Sequence, residues 1–388
     1  MRIFSFLFFI ALSSKALAQF SFSTGDHVLE VSGMLSSYYN YRELKQGEVD
    51  KQKNRFNLRD ASFTLEGRVK KVFGYQLQMD FADMAQNAAG NVDDENPGLM
   101  DAFVYANVFS KVRVKVGYMK VPYSFGSLTP FYQSPYWQRA EFLRGNFFGR
   151  RDVGALIQTD FFNRKLEVWT GVFNGLGEKS LNGDNDASGG LEFAGRISFS
   201  YPARYRFQFI DKRVSRIPFF SLGINHRYSL RNIPAGENLI PGSAGEYGIK
   251  VLDGKKYLSG VDFSFHYLGF SLQAEIHQLL GRPNDTTSFL LGGTSLKDNE
   301  GFFRSGCEIV QLNYFWKRAR TGFSVRYENM NVNDLFAGST SRLTYALFYA
   351  IKGTESMIKA NYTSILSEDA IDPLKYTAQF RIGWQWMF

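Results

Sequence analysis

The 388-residue chain sets 45 lysines and arginines against 37 acidic residues, a formal charge of +8, and is rich in phenylalanine (38), tyrosine (21) and glycine (36) but poor in proline (10). Its single cysteine, Cys307, excludes an internal disulfide, and beyond residue 18 charged residues or glycines break every apolar run before the roughly 20 residues that a spanning helix needs. Helical membrane proteins and disulfide scaffolds are thereby set aside, while 16% aromatics with abundant glycine favours strands and turns.

In chain order, residues 1–18 read as an export signal. Arg2 supplies the positive start, residues 4–12 a short apolar run, and Ala16-Leu17-Ala18 a small-residue cleavage site before Gln19. Ser13, Ser14 and Lys15 end the run too early for a retained anchor. Cleavage takes away Arg2 and Lys15, lowering the formal charge from +8 to +6, and leaves residues 19–388 as one domain.

Sixteen segments, the first at 27–41 and the last at 374–388, read as strands. Phe73, Tyr75, Leu77, Met79 and Phe81 alternate with Gly74, Gln76, Gln78 and Asp80. Val261, Phe263, Phe265 and Tyr267 alternate with Gly260, Asp262, Ser264 and His266. A period of two means one apolar and one polar face. The ending repeats it: Ala378, Phe380, Ile382, Trp384, Trp386 and Phe388 share a phase over about ten residues, the length of a tilted strand crossing a bilayer. The segment 101–109 departs from this, because Phe103 and Tyr105 fall on its second face, where they would meet an infolded loop or a neighbouring subunit.

Connections alternate between short turns and long stretches, the latter at 42–54, 83–100, 119–150, 174–190, 229–256, 280–304, 331–341 and 365–373. One connection breaks the rule: 201–217 is basic and seventeen residues long where a short turn is expected. A β-sandwich would also alternate, but the export signal, the even strand count, the one-sided loops and the terminal phenylalanine together point to a transmembrane antiparallel β-barrel. Closure satisfies every backbone group that faces lipid.

A lysine or arginine facing lipid at mid-bilayer costs about 2–4 kcal/mol, so Arg113, Lys115, Arg196, Arg227, Arg326, Lys359 and Arg381 are expected to point into the lumen. Asp80, Asp262, Glu275 and Glu328 join them, making the wall mixed. The local exception runs from Lys111 to Arg151, where eight basic residues face one acid, Glu141, among many aromatics. Aromatics suit a packed loop better than a solvated one. Folded inward, the third long loop would narrow the lumen. The candidate pore and anion-binding residues are Arg113, Lys115, Lys120, Arg139, Arg144, Arg150 and Arg151: charge in a constriction narrower than the Debye length of about 8–10 Å is poorly screened, and guanidinium forks bind oxyanions bidentately. The alternative reading pairs these cations with carboxylates of neighbouring strands or stacks them on the aromatics.

The stretches "VGYMKVPYSF" (116–125), "GRRDVGAL" (149–156) and "GVFNG" (171–175), preceded by "NLRDASFTLEGRV" and "YQLQMDF", resemble the phosphate-selective porin O and P family over roughly residues 55–175. The resemblance implies a sixteen-stranded outer-membrane channel of a Gram-negative bacterium, usually a homotrimer, that passes small anions such as phosphate along arginines and lysines past an infolded third loop. Lys120, Arg150 and Arg151 lie within the matching motifs, whereas Arg139 and Arg144 rest on charge density alone. The mixed lumen argues for a modest preference. A non-selective porin and a barrel serving as a surface receptor are the alternatives. Partners expected are outer-membrane lipid and small anions; no nucleic acid, cofactor or metal is indicated. His27, His226, His266 and His277 have no metal-ligand spacing, though Asp262 and Glu275 would face each other across a tight turn at Leu268 and Gly269. A barrel hydrolase would need a serine and a histidine brought together by the fold, and Asp93-Asp94-Glu95 reads as a solvated acidic run.

Overall fold

In a computed structural model, the described residues are 20–82, 98–144, 147–182, 187–204, 207–233, 250–284, 290–291, 294–295, 301–331, 334, 338–368 and 374–388. The export signal and the acidic run 93–95 lie outside them. The strands are β1 (Phe20–Thr24), β2 (His27–Leu44), β3 (Asn54–Val69), β4 (Phe73–Asp80), β5 (Leu99–Phe109), β6 (Val112–Lys120), β7 (Arg151–Phe161), β8 (Leu166–Phe173), β9 (Glu192–Tyr201) and β10 (Phe219–Leu230). They continue as β11 (Gly254–Tyr267), β12 (Phe270–Pro283), β13 (Leu290–Leu291), β14 (Thr294–Ser295), β15 (Phe303–Trp316), β16 (Thr321–Asn331), β17 (Thr340–Lys352), β18 (Ser356–Ser367) and β19 (Tyr376–Met387).

Sixteen of these, β2–β12 and β15–β19, pair antiparallel with their neighbours, and β19 returns to β2 with Arg381 opposite Asn40 and Trp384 opposite Ser37. The sheet is a closed barrel. β1 pairs with the first residues of β2, in line with the end of β19, where Gly33 and Phe388 exchange backbone hydrogen bonds of 2.7 and 2.9 Å. β13 and β14 form a separate hairpin in a long connection.

Exposure separates a membrane barrel from a sandwich. A soluble sheet buries its apolar phase, whereas β10 does the reverse: Leu222 and Ile224 are 43% and 55% exposed, while Ser221, Asn225 and Arg227 between and beside them are at most 1% exposed. The apolar phase continues around the ring through Ile197, Val261, Ile276, Leu347, Ile382 and Trp384, all exposed. Water is a poor match for that band and hydrocarbon a good one.

Turn chemistry sets the register. Leu268 and Gly269 both take positive φ, 50° and 85°, as a two-residue hairpin turn requires. That turn places Asp262 opposite Glu275, as the spacing predicts. The misfit of β5 also has a cause: Phe103 and Tyr105 lie on the face of Asp101 and carry cations, with Lys115 Nζ 4.8 Å from the Phe103 ring and the Arg113 guanidinium 4.6 Å from Tyr105.

Candidate functional site

The segment joining β6 to β7, residues 121–150, is too irregular to form an element of its own. It contains one helical turn, Phe125–Leu128, whose Ser124 cap accepts from Ser127 N, and two 3-10 turns, Phe131–Gln133 and Glu141–Arg144. Its stability comes from burial. Tyr123, Phe125, Tyr136, Trp137, Phe142, Phe147 and Phe148 are all at most 1% exposed. Phe142, Phe147 and Phe148 join Leu258, Leu279, Phe303 and Ile309 of the wall in one apolar cluster.

Polar contacts pin the segment to the polar phase of distant strands. Tyr123 Oη lies 2.9 Å from His277 Nδ1 and donates to Ser259 O at 3.1 Å. Glu275 accepts from Ser124 Oγ at 2.5 Å and from Gly126 N at 2.8 Å. Farther round, Tyr136 Oη meets Ser324 Oγ at 2.5 Å, Trp137 N donates to Asn361 Oδ1 at 2.6 Å, and Gln385 Nε2 donates to Tyr132 O at 2.9 Å. Those partners belong to β16, β18 and β19, and β16 stands eight places from β6 in the sixteen-strand ring.

The basic residues singled out in the sequence divide into three groups. Arg139 donates to Gly126 O and, at 3.0 Å, to Thr129 O, while Arg144 meets Glu141 at 3.2 Å. Lys120 Nζ donates to Leu128 O at 3.1 Å, Arg151 makes a two-pronged pair with Asp101 at 3.1 and 3.3 Å, and Arg150 is buried beside it. Arg113, bonded to Asn107 at 2.8 Å, and Lys115 stay on the β5–β7 side.

Arg139 shares a small cavity with Arg326, Arg342 and Arg381, lined also by Glu328, Thr344 and Gln379. Arg342 forms a close pair with Glu141, and Arg326 lies 3.4 Å from Glu328. In this neighbourhood Arg139, Arg144, Arg326, Arg342 and Arg381 stand against two carboxylates, Glu141 and Glu328. Burial pushes the Glu141 carboxyl up, but Arg144 and Arg342 outweigh it and hold the group well below the usual carboxylate range. Arg326 and Arg381 are on the polar phase in sequence. Arg342 was missed as a site residue because it sits at the end of its strand, although it shares a phase with Thr344.

Asp262 pairs with Arg196 through two contacts, 2.5 and 2.8 Å, whereas Glu275 is held by Ser124, Gly126 and His277. His277 Nε2 lies 3.1 Å from Glu275. The order Ser124–Glu275–His277 puts the carboxylate between hydroxyl and imidazole, an arrangement in which the imidazole does not draw a proton from the serine. Among the described residues no group of three or more His, Cys, Asp or Glu is placed to hold a metal ion.

Residues 32–216 match the family model described as phosphate-selective porin O and P. No match is found among curated proteins. Among solved structures the chain is similar to outer-membrane expressed OmpT of Vibrio cholerae, with 8% identity and TM-score 0.55 over 95% of this chain and 100% of that one. It is also similar to the trimer form of in-vitro folded OmpT from the same organism, with 9% identity and TM-score 0.53 over 93% and 99%. A third is the outer membrane channel DcaP of Acinetobacter baumannii, with 12% identity and TM-score 0.55 over 94% and 99%. Over residues 32–216 the chain matches the phosphate-selective porin O and P family, and the fold of its described residues is that of the outer-membrane porins.

Proposed function

We propose that the protein is a passive outer-membrane channel, rather than an enzyme, for small hydrophilic solutes, with a modest preference for anions such as phosphate. The observation that carries this is the clustering of Arg139, Arg326, Arg342 and Arg381 around one lumenal cavity. In this reading the segment 121–150 is an infolded constriction loop; its bonds to strands across the ring support that role. Within such a constriction the excess of guanidinium over carboxylate is poorly screened, and several weak sites in series let an ion both enter and leave. Arg144 belongs to the same cluster. Lys120, Arg150 and Arg151 stand where the loop leaves and rejoins the wall, and Arg113 and Lys115 extend the basic lining toward the short turns. The buried pairs Arg151–Asp101, Arg196–Asp262 and Arg227–Glu192 neutralise much of the wall, which favours preference over strict selection.

The reading includes assembly as a homotrimer. The support for it is the likeness in fold to the trimer form of in-vitro folded OmpT of Vibrio cholerae. Exchanging Arg139, Arg326, Arg342 and Arg381 together for glutamine should preserve conduction across a planar bilayer and reduce the anion bias of the reversal potential; an unchanged bias refutes the site.

A further inference from the structure

We infer that residues 207–217, which belong to the one overlong connection at the short-turn end, form a crossbar that seals half of that mouth and sends solute out beside β6–β8, past Arg113 and Arg204. The inference rests on the channel reading. Short turns at this end leave a sixteen-stranded barrel open, so the destination of the extra residues matters.

They run inward. Phe209 and Ile210 are buried in an apolar cluster with Phe315, Phe348 and Met357. The Phe209 carbonyl accepts from Gln273 Nε2 at 2.9 Å and from Asn313 Nδ2 at 3.0 Å, on β12 and β15. Asp211, fully buried, accepts from Ser215 N at 2.7 Å, Ser215 Oγ at 2.9 Å and Gly269 N at 3.0 Å, the last in the β11–β12 turn. Lys212 Nζ reaches Thr354 Oγ1 at 3.3 Å in the turn between β17 and β18. At the other end the Phe207 ring lies 5.7 Å from Trp169 of β8.

Trp169 on β8 and Met357 on β18 are eight places apart in a ring of sixteen. One segment touching both therefore lies along a diameter. It also meets the constriction loop, since Phe125 stands 6.1 Å from Phe207 and 5.4 Å from Phe209, so the β10–β18 side is filled by stacked apolar layers. On the opposite side remains a cavity of about 120 Å³ lined by Lys111, Arg113, Arg164 and Arg204 with Asp160. Arg164 pairs with Asp160 at 3.3 Å and Arg204 with Glu167 at 3.1 Å, so an anion leaving by that route meets a second rim with an excess of two cations.

The test is single-channel recording on the full chain and on a chain in which residues 207–217 are replaced by Asn-Gly. Opening the sealed half should raise conductance, with the constriction still in series setting the upper limit, and Arg204→Gln in the unshortened chain should lower the anion bias. Conductance unchanged by the excision, in a parent that conducts, overturns the crossbar and leaves the channel standing. Silence from both chains overturns both. Should the shortened chain fail to assemble, Asp211→Ala keeps the wall intact: larger, noisier openings are expected, and steady parental openings overturn the inference.

Discussion

Glu275 is the anchor whose removal reads out the loop most cleanly. Its two oxygens hold the Ser124 hydroxyl and the Gly126 amide, at 2.5 and 2.8 Å. In Glu275→Gln the carboxamide oxygen still accepts from Ser124, but its NH2 group cannot accept from the Gly126 amide. A hydrogen bond to a charged acceptor contributes about 1.5–3 kcal/mol. Losing one should raise the local opening equilibrium by roughly 10- to 150-fold. Glu275→Ala loses both and should do more. Amide hydrogen exchange in detergent micelles checks this: the amides of Ser124, Gly126 and Ser127 should exchange faster by that factor, while Ile224 and Val261 of the barrel wall stay protected. Exchange at Gly126 within twofold of the parent would refute the anchoring argument.

Glu141 provides a pH test. Its folded-state pKa is depressed by Arg144 and Arg342 against burial, so its stabilising contribution is complete above the ordinary value of 4.5 and is lost as pH falls from there through the lower folded value. Thermal unfolding should show no loss from this pair at neutral pH and a progressive one in acid, which Glu141→Gln abolishes. Arg196 and Asp262 are each 1% exposed; Asp262→Ala, which leaves the buried guanidinium its bond to Asn225 but no carboxylate, should cost about 3–5 kcal/mol in urea unfolding from detergent. Ile224, exposed on β10 between Ile197 and Val261, should cost about 2–4 kcal/mol when changed to arginine if it faces mid-bilayer, as measured by folding into lipid vesicles.

Local chemistry in the sequence carries most of the barrel. Alternation from Val261 to Tyr267 gives the strand, and the Leu268-Gly269 turn gives its register to the residue, because both depend on neighbours in the chain. Phe103 and Tyr105 break the pattern for a reason that is not local: they lie beneath Lys115 and Arg113 and so serve the polar face. The segment 121–150 is legible as basic and aromatic, yet its anchors, Glu275, Ser324 and Asn361, lie more than a hundred residues away in the chain, and nothing near Tyr136 or Trp137 specifies them. The same holds for Arg342, whose pairing with Glu141 exists only once the ring has closed. The overlong connection 201–217 stands out by length alone, while the side of the mouth it covers depends on β12, β15 and β18.

A ring with hydrocarbon outside and a basic, water-filled path within should pass anions more readily than cations. The most direct measurement is the reversal potential of the unmodified protein in a planar bilayer under a potassium chloride gradient. Steady conduction is expected, with a reversal potential displaced toward the chloride limit. A displacement toward potassium, or a membrane that does not conduct although the folded barrel is present, would contradict it.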